Sequence, residues 1–360
     1  MPVADVTVVS PYDFTVSGRR LTGRKSTPTL LEPDEACVLN FVKYIDREKP
    51  DILFFEGVGL LNFCKALVSQ SVARKPGLVL DCHNVESALW ESTVFAKMGG
   101  WRRLWKPRTG DALESARRAD REAVRLCDVV LVPTHEDRQR LADLLFDEKE
   151  ADKIKVVPNV APAWSLRRLA AVPPADVRDE VRRLLFVGHL RYAPNVEAVG
   201  DLVHGIWPKL HAEFPRMQLV VAGRNPARRV RRWTGSRKGI ELRADPPSLD
   251  EIYAGCDVAI IPLRQGGGSR VKVLEALAAG MPVIATAKAV EGLGLAEGQH
   301  WLRAETDEDC LTAVRHLVQD RALRERLVRE GRALVAERYT QKALAGTLAP
   351  IIADLHQAAV

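Results

Sequence analysis

The sequence predicts an α/β fold with two domains, each built on a parallel sheet, and three observations support this prediction. Short apolar runs alternate with longer amphipathic stretches, a pattern typical of consecutive β-α-β units. A Pro- and Ala-rich segment from Val160 to about Asp179 interrupts the alternation and is predicted to be a linker, after which the alternation restarts. With 360 residues, the chain is long enough for two domains that each have a core.

The first half is predicted to contain strands and helices in alternation. The strands are the apolar runs Asp5–Val9, Ile52–Phe55, Leu78–Asp81, Val129–Val132 and Lys155–Val157. The helices are the amphipathic stretches near Pro33–Arg47, Leu60–Ala73, Ala112–Leu126 and Glu136–Leu145.

The second half repeats this organisation. It is predicted to hold the strands Arg183–Val187, Gln218–Ala222, Ile240–Leu242 and Asp257–Leu263, with helices near Val196–Phe214 and Leu249–Ala254 and a helical tail from Asp307. We therefore expect two Rossmann-like domains that face each other across a cleft.

Composition excludes several classes of protein. The chain is 46% hydrophobic and 28% charged, as in soluble globular proteins, and its net charge of +6 suits an anionic ligand or surface. No RNA-binding or helix-turn-helix pattern is found, so no nucleic-acid partner is predicted. The six cysteines are scattered without a CxxC pair, which favours reduced thiols and predicts no metal site. No signal peptide or membrane-spanning run is found, so we expect a cytoplasmic protein, with the inner membrane face as an alternative.

A glycine-rich turn carries the main chemical signal. The residues Gly266, Gly267, Gly268 and Ser269 follow an apolar strand and precede a short helix, and this arrangement is typical of a phosphate cradle. Arg270 and Lys272 stand in the first helical turn, where the helix dipole disfavours cations unless an anion binds there. The alternative is a solvated helix start with an ion pair between Lys272 and Glu275 at i,i+3 spacing.

An ordered series of motifs adds a family resemblance. The motifs are Asp81-Cys82-His83-Asn84-Val85-Glu86, Cys127-Asp128-Val129-Val130, Val156-Val157-Pro158-Asn159, Phe186-Val187-Gly188, Tyr192-Ala193-Pro194-Asn195, Val221-Ala222-Gly223, and the run from Cys256-Asp257 through Glu291-Gly292-Leu293. Together they resemble the family-4 (retaining) glycosyltransferases of the GT-B fold, the group 1 glycosyl transferases.

The resemblance implies a division of labour between the domains. An acceptor-side domain is expected at 1–165 and a nucleotide-sugar-binding domain at 180–341, with the last helix, about 342–360, packing back on the first domain. No metal or other cofactor is implied. Relatives begin with a further strand and glycine-rich turn that has no counterpart before Ala4, so the first domain is expected to lack its first βα unit.

The resemblance also implies roles for individual residues. Glu275 matches the second glutamate of the family's paired motif, which contacts the ribose hydroxyls, whereas the first falls at Gly267 and is absent. His189 and Asn195 replace the usual Arg and Lys after the first strand of this domain, so Arg270 and Lys272 become the substitutes. The donor-binding residues implied are Gly188, Asn195, Arg224, Gly266, Gly267, Gly268, Ser269, Arg270, Lys272 and Glu275.

A catalytic role is implied for His83 as well as for Glu275. It follows the strand Leu78–Asp81, and in relatives a histidine here lies near the reacting sugar, although a structural histidine at a strand end is the alternative. The segment Trp101–Arg108 combines two tryptophans with cations, which indicates either a peripheral membrane contact or a surface loop. The stretch Arg228–Trp233 is similar, and a solvated helix face is favoured there.

The predicted function is therefore transfer of a sugar, with retention, from a nucleotide-sugar donor to a polysaccharide or lipid-linked acceptor in cell-envelope glycan synthesis. Two alternatives stay open. One is a nucleotide-sugar epimerase of the same architecture, and the other is a catalytically degenerate relative that binds nucleotide-sugar without turnover.

Overall fold

The structure is a computed structural model that describes residues 7, 22–23, 30–69, 75–94, 106–171, 180–266 and 270–359. The chain divides into two compact units. The first unit comprises Met1–Val157 together with Thr347–Val360, and the second comprises Pro158–Gly346. The last helix therefore contributes its final part to the first unit.

The first unit contains a parallel sheet in the order β3-β4-β5-β6, with β3 at Ile52–Glu56, β4 at Gly77–Asp81, β5 at Val129–Val132 and β6 at Ile154–Val156. A small antiparallel pair, β1 (Thr22–Gly23) and β2 (Leu31–Glu32), precedes it. The helices of this unit are α1 (Glu35–Glu48), α2 (Leu61–Ser69), α3 (Glu86–Val94), α4 (Lys106–Leu126), α5 (His135–Ala142) and α6 (Glu148–Ala151).

The second unit contains a six-stranded parallel sheet in the order β12-β11-β10-β7-β8-β9. Its strands are β7 (Arg183–Val187), β8 (Gln218–Gly223), β9 (Ile240–Ala244), β10 (Val258–Ile261), β11 (Val283–Ala285) and β12 (Leu302–Arg303). Its helices are α7 (Ala163–Ala171), α8 (Ala193–Asp201), α9 (Trp207–Glu213), α10 (Arg228–Gly235), α11 (Asp250–Ala254), α12 (Val271–Ala278), α13 (Ala287–Val290), α14 (Asp307–Gln319) and α15 (Arg321–Arg338), and α16 (Gln341–Ala359) begins in it.

The apolar strands supply buried side chains to the hydrophobic core of each unit. In the first unit, Leu348, Ile351 and Leu355 of α16 pack against Val79 and Leu131 on one face of the sheet. In the second unit, the four residues of β10 and most of β7 are buried on both faces, as expected for central strands of a parallel sheet covered by helices. Within each parallel sheet, the carboxyl ends of the strands lie along one edge of that sheet, which is where ligands bind in open α/β sheets.

The structure differs from the predicted elements at two places, and a third prediction falls almost wholly outside the described residues. The segment predicted to be a linker contains α7, whose Trp164 and Leu166 pack on the core of the second unit, so Ala163–Ala171 is helical and partly buried. The helix predicted over Val196–Phe214 has a wide π turn at Leu202–Ile206, just before Pro208, which cannot donate a backbone hydrogen bond and crowds the preceding turn. The predicted strand Asp5–Val9 lies outside the described residues except for Thr7, which is not in a strand.

Candidate functional site

The candidate site lies at the carboxyl edge of the sheet in the second unit. β7 ends at Val187 and is followed by Gly188, β8 ends at Gly223, and β10 is followed by the segment that leads to α12. Because β7 pairs with both β8 and β10, these three strand ends are adjacent. The helices α8 and α12, which start after β7 and β10, supply the charged and polar side chains of the site.

Two glycines bring the backbone of neighbouring strand ends together. Gly223 has a φ of +147°, and a Cβ added to it would lie 1.7 Å from the carbonyl oxygen of Gly188. A Cβ on Gly188 would in turn lie 2.8 Å from the side-chain amide of Asn195. Any side chain at these two positions would displace its neighbours, so the floor of the site requires glycine at both.

The ammonium group of Lys272 is the central cation of the site. Its Nζ donates to Asn195 Oδ1 at 2.5 Å and lies 4.9 Å from the ring centroid of Phe186. Burial, and then the positive charge of Arg270, lower the pKa of Lys272 to about 7, although Glu275 acts in the opposite direction. The ammonium is thus held by an amide and a ring face rather than a carboxylate, and a bound anion would stabilise its charged form.

Arg270 is buried at the start of α12 and shares a carboxylate with a second cation. Its Nη2 donates to the carbonyl oxygen of Gly266 at 3.1 Å and lies 3.3 Å from Glu291 Oε2. The same oxygen accepts from Lys288 Nζ at 2.5 Å. One carboxylate therefore faces two cations, and the group Arg270, Lys288 and Glu291 has a net positive charge. Gly266, at φ +113°, directs the chain into this turn.

Glu275 projects from α12 to a buried tyrosine. The hydroxyl of Tyr253, on α11, donates to Glu275 Oε2 at 2.9 Å, and both side chains are buried. Burial raises the pKa of Glu275 to about 7, and the hydrogen bond from Tyr253 and the charge of Lys272 partly offset that effect. The ring of Tyr253 packs against Trp164 of α7, with ring centroids 5.0 Å apart.

The structure brings together several of the residues implied by the resemblance. Gly188, Asn195, Gly266, Arg270, Lys272 and Glu275 meet at the strand ends described above, and Gly267, Gly268 and Ser269 lie outside the described residues. Arg224 follows β8 with an exposed side chain, and its carbonyl oxygen accepts from Leu190 N at 2.8 Å. The alternative ion pair between Lys272 and Glu275 is not formed, because the first contacts Asn195 and the second contacts Tyr253.

Three residues of this site were missed in the sequence. Tyr253, Lys288 and Glu291 each lie in an apolar or glycine-containing stretch with no local signal of chemistry, and only the fold brings them to α12. Glu291 falls in the last motif of the resemblance, Glu291-Gly292-Leu293, and that motif was the one available indication of its role.

His83 lies in the first unit, at the carboxyl edge of that unit's sheet. Its Nε2 is 3.2 Å from Glu56 Oε1, at the end of β3, and its Nδ1 is 3.9 Å from Asp81 Oδ2, at the end of β4. Burial raises the pKa of Asp81, and the nearby Glu56 raises it further, whereas His83 lowers it. Glu56 and Asp81 are acid–base groups beside His83 that the sequence did not indicate.

In the same motif, Asn84 precedes the helix α3 and Glu86 begins it, and this helix is capped from another element. Asp120 of α4 accepts from the backbone N of Glu86 at 3.2 Å, from the backbone N of Ser87 at 2.9 Å and from Ser87 Oγ at 2.6 Å. Asp120 thus satisfies the free N–H groups at the start of α3 and fixes the direction in which the chain leaves His83.

The arrangement in the second unit is suited to binding an anion that also carries hydroxyl groups. The N-terminus of α12, Arg270 and Lys272 present positive charge, and the glycines allow close approach of a phosphate to the backbone. Glu275 offers a carboxylate a short distance along the same helix. No group of three or more His, Cys, Asp or Glu side chains in the described part of the chain is arranged to hold a metal ion.

One known family matches most of the second unit. Residues 181–320 match the family model described as glycosyl transferases group 1, and this range lies within Pro158–Gly346 and contains the whole site. A search of curated proteins returned no match.

Solved glycosyltransferases share the fold. S. aureus TarM, solved with fondaparinux, α-GlcNAc-glycerol and UDP, matches with a TM-score of 0.62 and 11% identity over 89% of this chain, which spans 59% of TarM. Sucrose-phosphate synthase from Thermosynechococcus elongatus matches with a TM-score of 0.63 and 17% identity, covering 93% of this chain and 82% of the synthase. A trehalose-6-phosphate synthase studied with bisubstrate glycomimetics matches with a TM-score of 0.58 and 15% identity, covering 91% and 80% of the two chains. The fold is therefore of the GT-B type.

Proposed function

We propose that this chain, whose second unit carries a group 1 glycosyltransferase domain, is a retaining glycosyltransferase that moves a sugar from a nucleotide-sugar to a polysaccharide or lipid-linked acceptor in cell-envelope glycan synthesis. TarM is solved with UDP and a GlcNAc-glycerol, and the trehalose-6-phosphate synthase is described as transferring with retention. These relatives support a nucleoside-diphosphate sugar as the donor and a hydroxyl group as the acceptor for this chain.

The observation that carries the proposal is the position of Lys272. Its ammonium reaches from α12 to the side chain of Asn195, which stands where the resemblance expects a cation after β7. A charge from a different helix thus occupies the place of the missing lysine. Arg270 stands two residues earlier, at the N-cap of α12. Together, Lys272 and Arg270 would bind the diphosphate of the donor and stabilise the negative charge that develops on the leaving group.

Glu275 would hold the donor by its ribose. Its carboxylate has Tyr253 as its hydrogen-bond partner among the described residues, and its position three residues after Lys272 places both on neighbouring turns of α12. A carboxylate accepts hydrogen bonds from vicinal hydroxyl groups, whereas the diphosphate would be repelled by it. We therefore assign phosphates to the start of α12 and the ribose to its middle.

The chemistry proposed needs no resident cofactor, because Arg270 and Lys272 would supply the positive charge. On the acceptor side we assign His83, held between Glu56 and Asp81, to contacts with sugar hydroxyls. Among the described residues no helix is both long and apolar enough to cross a bilayer. The segment Trp101–Arg108, with its two tryptophans and four cations, stays a proposed membrane contact for a lipid-linked acceptor, and its residues 101–105 lie outside the described range.

A ligand screen tests the donor site. Nucleoside diphosphates and their sugars should raise the melting temperature of the wild-type protein, because a ligand at a hundred times its Kd adds about 2.7 kcal/mol of stability. The double variant Arg270→Gln with Lys272→Gln should lose this shift and all transfer. The matched control is Arg216→Gln with Arg237→Gln, which removes two exposed cations from the turns before β8 and β9, at the opposite edge of the sheet.

Donor hydrolysis separates the candidate activities. Slow release of nucleoside diphosphate from one nucleotide-sugar supports the transferase, and formation of an epimer would instead identify the epimerase. Binding without either product would identify a degenerate relative. Donor affinity equal to the wild type in the Arg270 and Lys272 double variant, with the fold intact by circular dichroism, would contradict the assignment of the diphosphate.

A further inference from the structure

Positive charge is dense in one segment of the second unit, which begins beside the donor site and continues away from it. Between Glu213 and Glu241 the chain carries seven arginines and one lysine and no acidic residue. They are Arg216, Arg224, Arg228, Arg229, Arg231, Arg232, Arg237 and Lys238, and all have exposed side chains. Most of this charge lies on α10 and in the turn that follows it.

The helix α10 has one cationic face and one buried face. Arg228 and Arg232 are four residues apart and stack on the same face, while Arg229 and Arg231 flank them. Val230 and Thr234 point to the opposite side and are 0% and 2% exposed. We call the outward side of this helix, formed by the four arginines, the arginine face.

The aromatic residue of α10 is used for packing. The ring of Trp233 lies edge-on to His204, with centroids 5.2 Å apart, and a Cβ on Gly200 would lie 3.5 Å from it. The guanidinium of Arg229 lies 5.6 Å from the same ring. Trp233 therefore joins α10 to the preceding helices and is not available to insert into an apolar phase or to stack on a base.

Among the residues described, two arginines of the arginine face lack the ion pairs that three arginines of α15 form. Arg231 lies 3.6 Å from Asp245, whereas Arg228 and Arg232 form no ion pair within the described part of the chain. On α15, by contrast, Arg321, Arg329 and Arg338 each pair with a glutamate of the same helix. Arg228 and Arg232 therefore carry charge that no ion pair within the described residues compensates.

We propose that the arginine face of α10 binds the anionic headgroups of a lipid bilayer. Clusters of four or more basic residues on an amphipathic helix are suited to anionic lipid. The arginines lie on the outward side of a helix that a flat bilayer can meet along its length of about 12 Å. The aromatic residue of α10, Trp233, packs against His204 and is not presented for stacking with nucleic-acid bases. The contact would be electrostatic, with no inserted side chain, and would weaken as salt is added.

Vesicle co-sedimentation tests this proposal without reference to sugar transfer. The full chain is mixed with vesicles of equimolar phosphatidylglycerol and phosphatidylcholine, or of phosphatidylcholine alone, at low and at physiological ionic strength. We expect binding to the anionic vesicles only. The triple variant Arg228→Gln, Arg229→Gln and Arg232→Gln should bind about a hundredfold more weakly, because each basic side chain near an anionic surface adds about a factor of five.

The matched control is the triple variant Arg321→Gln, Arg329→Gln and Arg338→Gln, which removes the same charge from α15 and should bind as the wild type does. Wild-type binding by the α10 variant would overturn the proposal, as would equal losses in both triple variants, since net charge alone would then explain binding. Unchanged vesicle binding with reduced binding to heparin or double-stranded DNA would assign the face to a soluble polyanion and would also overturn it. Melting of each variant by circular dichroism confirms that the fold is retained.

Discussion

Replacing Tyr253 with phenylalanine tests whether Glu275 acts as a positioned carboxylate. The change removes one hydroxyl from a fully packed ring and deletes the hydrogen bond of 2.9 Å to Glu275 Oε2. A hydrogen bond to a charged group contributes about 1.5–3 kcal/mol. If the bond orients Glu275 toward the ribose, the affinity for a nucleoside diphosphate should fall by about tenfold or more, since 1.4 kcal/mol corresponds to a factor of ten.

The same substitution should change the pH dependence of donor binding. Burial raises the pKa of Glu275 to about 7, and the hydrogen bond from Tyr253 lowers it, so removing the hydroxyl should raise it further. Binding that needs the carboxylate strengthens as the pH rises through that pKa, and this acidic limb should therefore move to higher pH in the variant. Lys272, with a pKa of about 7, must stay protonated to bind phosphate, so affinity falls again on the basic side.

Isothermal titration calorimetry over a pH series that brackets neutrality measures both effects. Tyr339→Phe is the matched control, because Tyr339 is also buried in the second unit and its hydroxyl donates to the carbonyl oxygen of Leu293 at 2.9 Å. It should lower stability without moving the pH profile. A Tyr253→Phe protein with the affinity and the acidic limb of the wild type would refute the positioning role. Failure of the wild type to bind any nucleoside diphosphate would instead count against the proposed function.

Two further predictions concern the frame of each unit. Gly223→Ala should lower the free energy of unfolding, measured by urea titration, by about 3 kcal/mol or more, because its Cβ would clash with the carbonyl oxygen of Gly188 at a φ of +147°. The control is Gly235→Ala, whose Cβ would have nothing within 4 Å. This control should change the free energy of unfolding by less than about 1 kcal/mol. Asp120→Ala should cost about 2–3 kcal/mol, because the N–H groups of Glu86 and Ser87 lose their acceptor, and Asp120→Asn should cost less because its amide oxygen still accepts. A smaller loss for Asp120→Ala than for Asp120→Asn in urea denaturation would exclude the capping role.

The elements predicted best are those with a local cause. β7, β8 and β10 are short apolar runs bounded by charged or glycine residues. The structure places β7 and β8 within one residue of their predicted bounds, whereas β10 ends two residues before the predicted end. The helix α12 follows from the glycine turn before it. The charges of Arg270 and Lys272 were found for the same reason, because their position at a helix start is visible within a few residues of sequence.

The contacts that were missed connect residues far apart in the chain. Tyr253 and Glu275 are separated by 22 residues, and Lys272 and Asn195 by 77. Which tyrosine meets which carboxylate depends on strand order and on the rotation of each helix, and periodicity does not specify either. The helix α7 was missed for a different reason, because prolines on both sides of it indicated a linker, although its own residues are strong helix formers.

The replacement of a lysine by Asn195 has a physical consequence for how the site carries charge. Lys272 comes from α12, next to Arg270 and at a helix end whose dipole disfavours a cation. Asn195 offers its amide oxygen to the ammonium, but an amide carries no compensating charge, so burial and Arg270 still lower the pKa of Lys272 to about 7. A bound diphosphate would supply the missing negative charge beside both cations, and it would therefore raise the pKa of Lys272. Near neutral pH, donor binding should therefore be accompanied by proton uptake at Lys272, and the basic limb of the pH series reports on this residue rather than on Glu275.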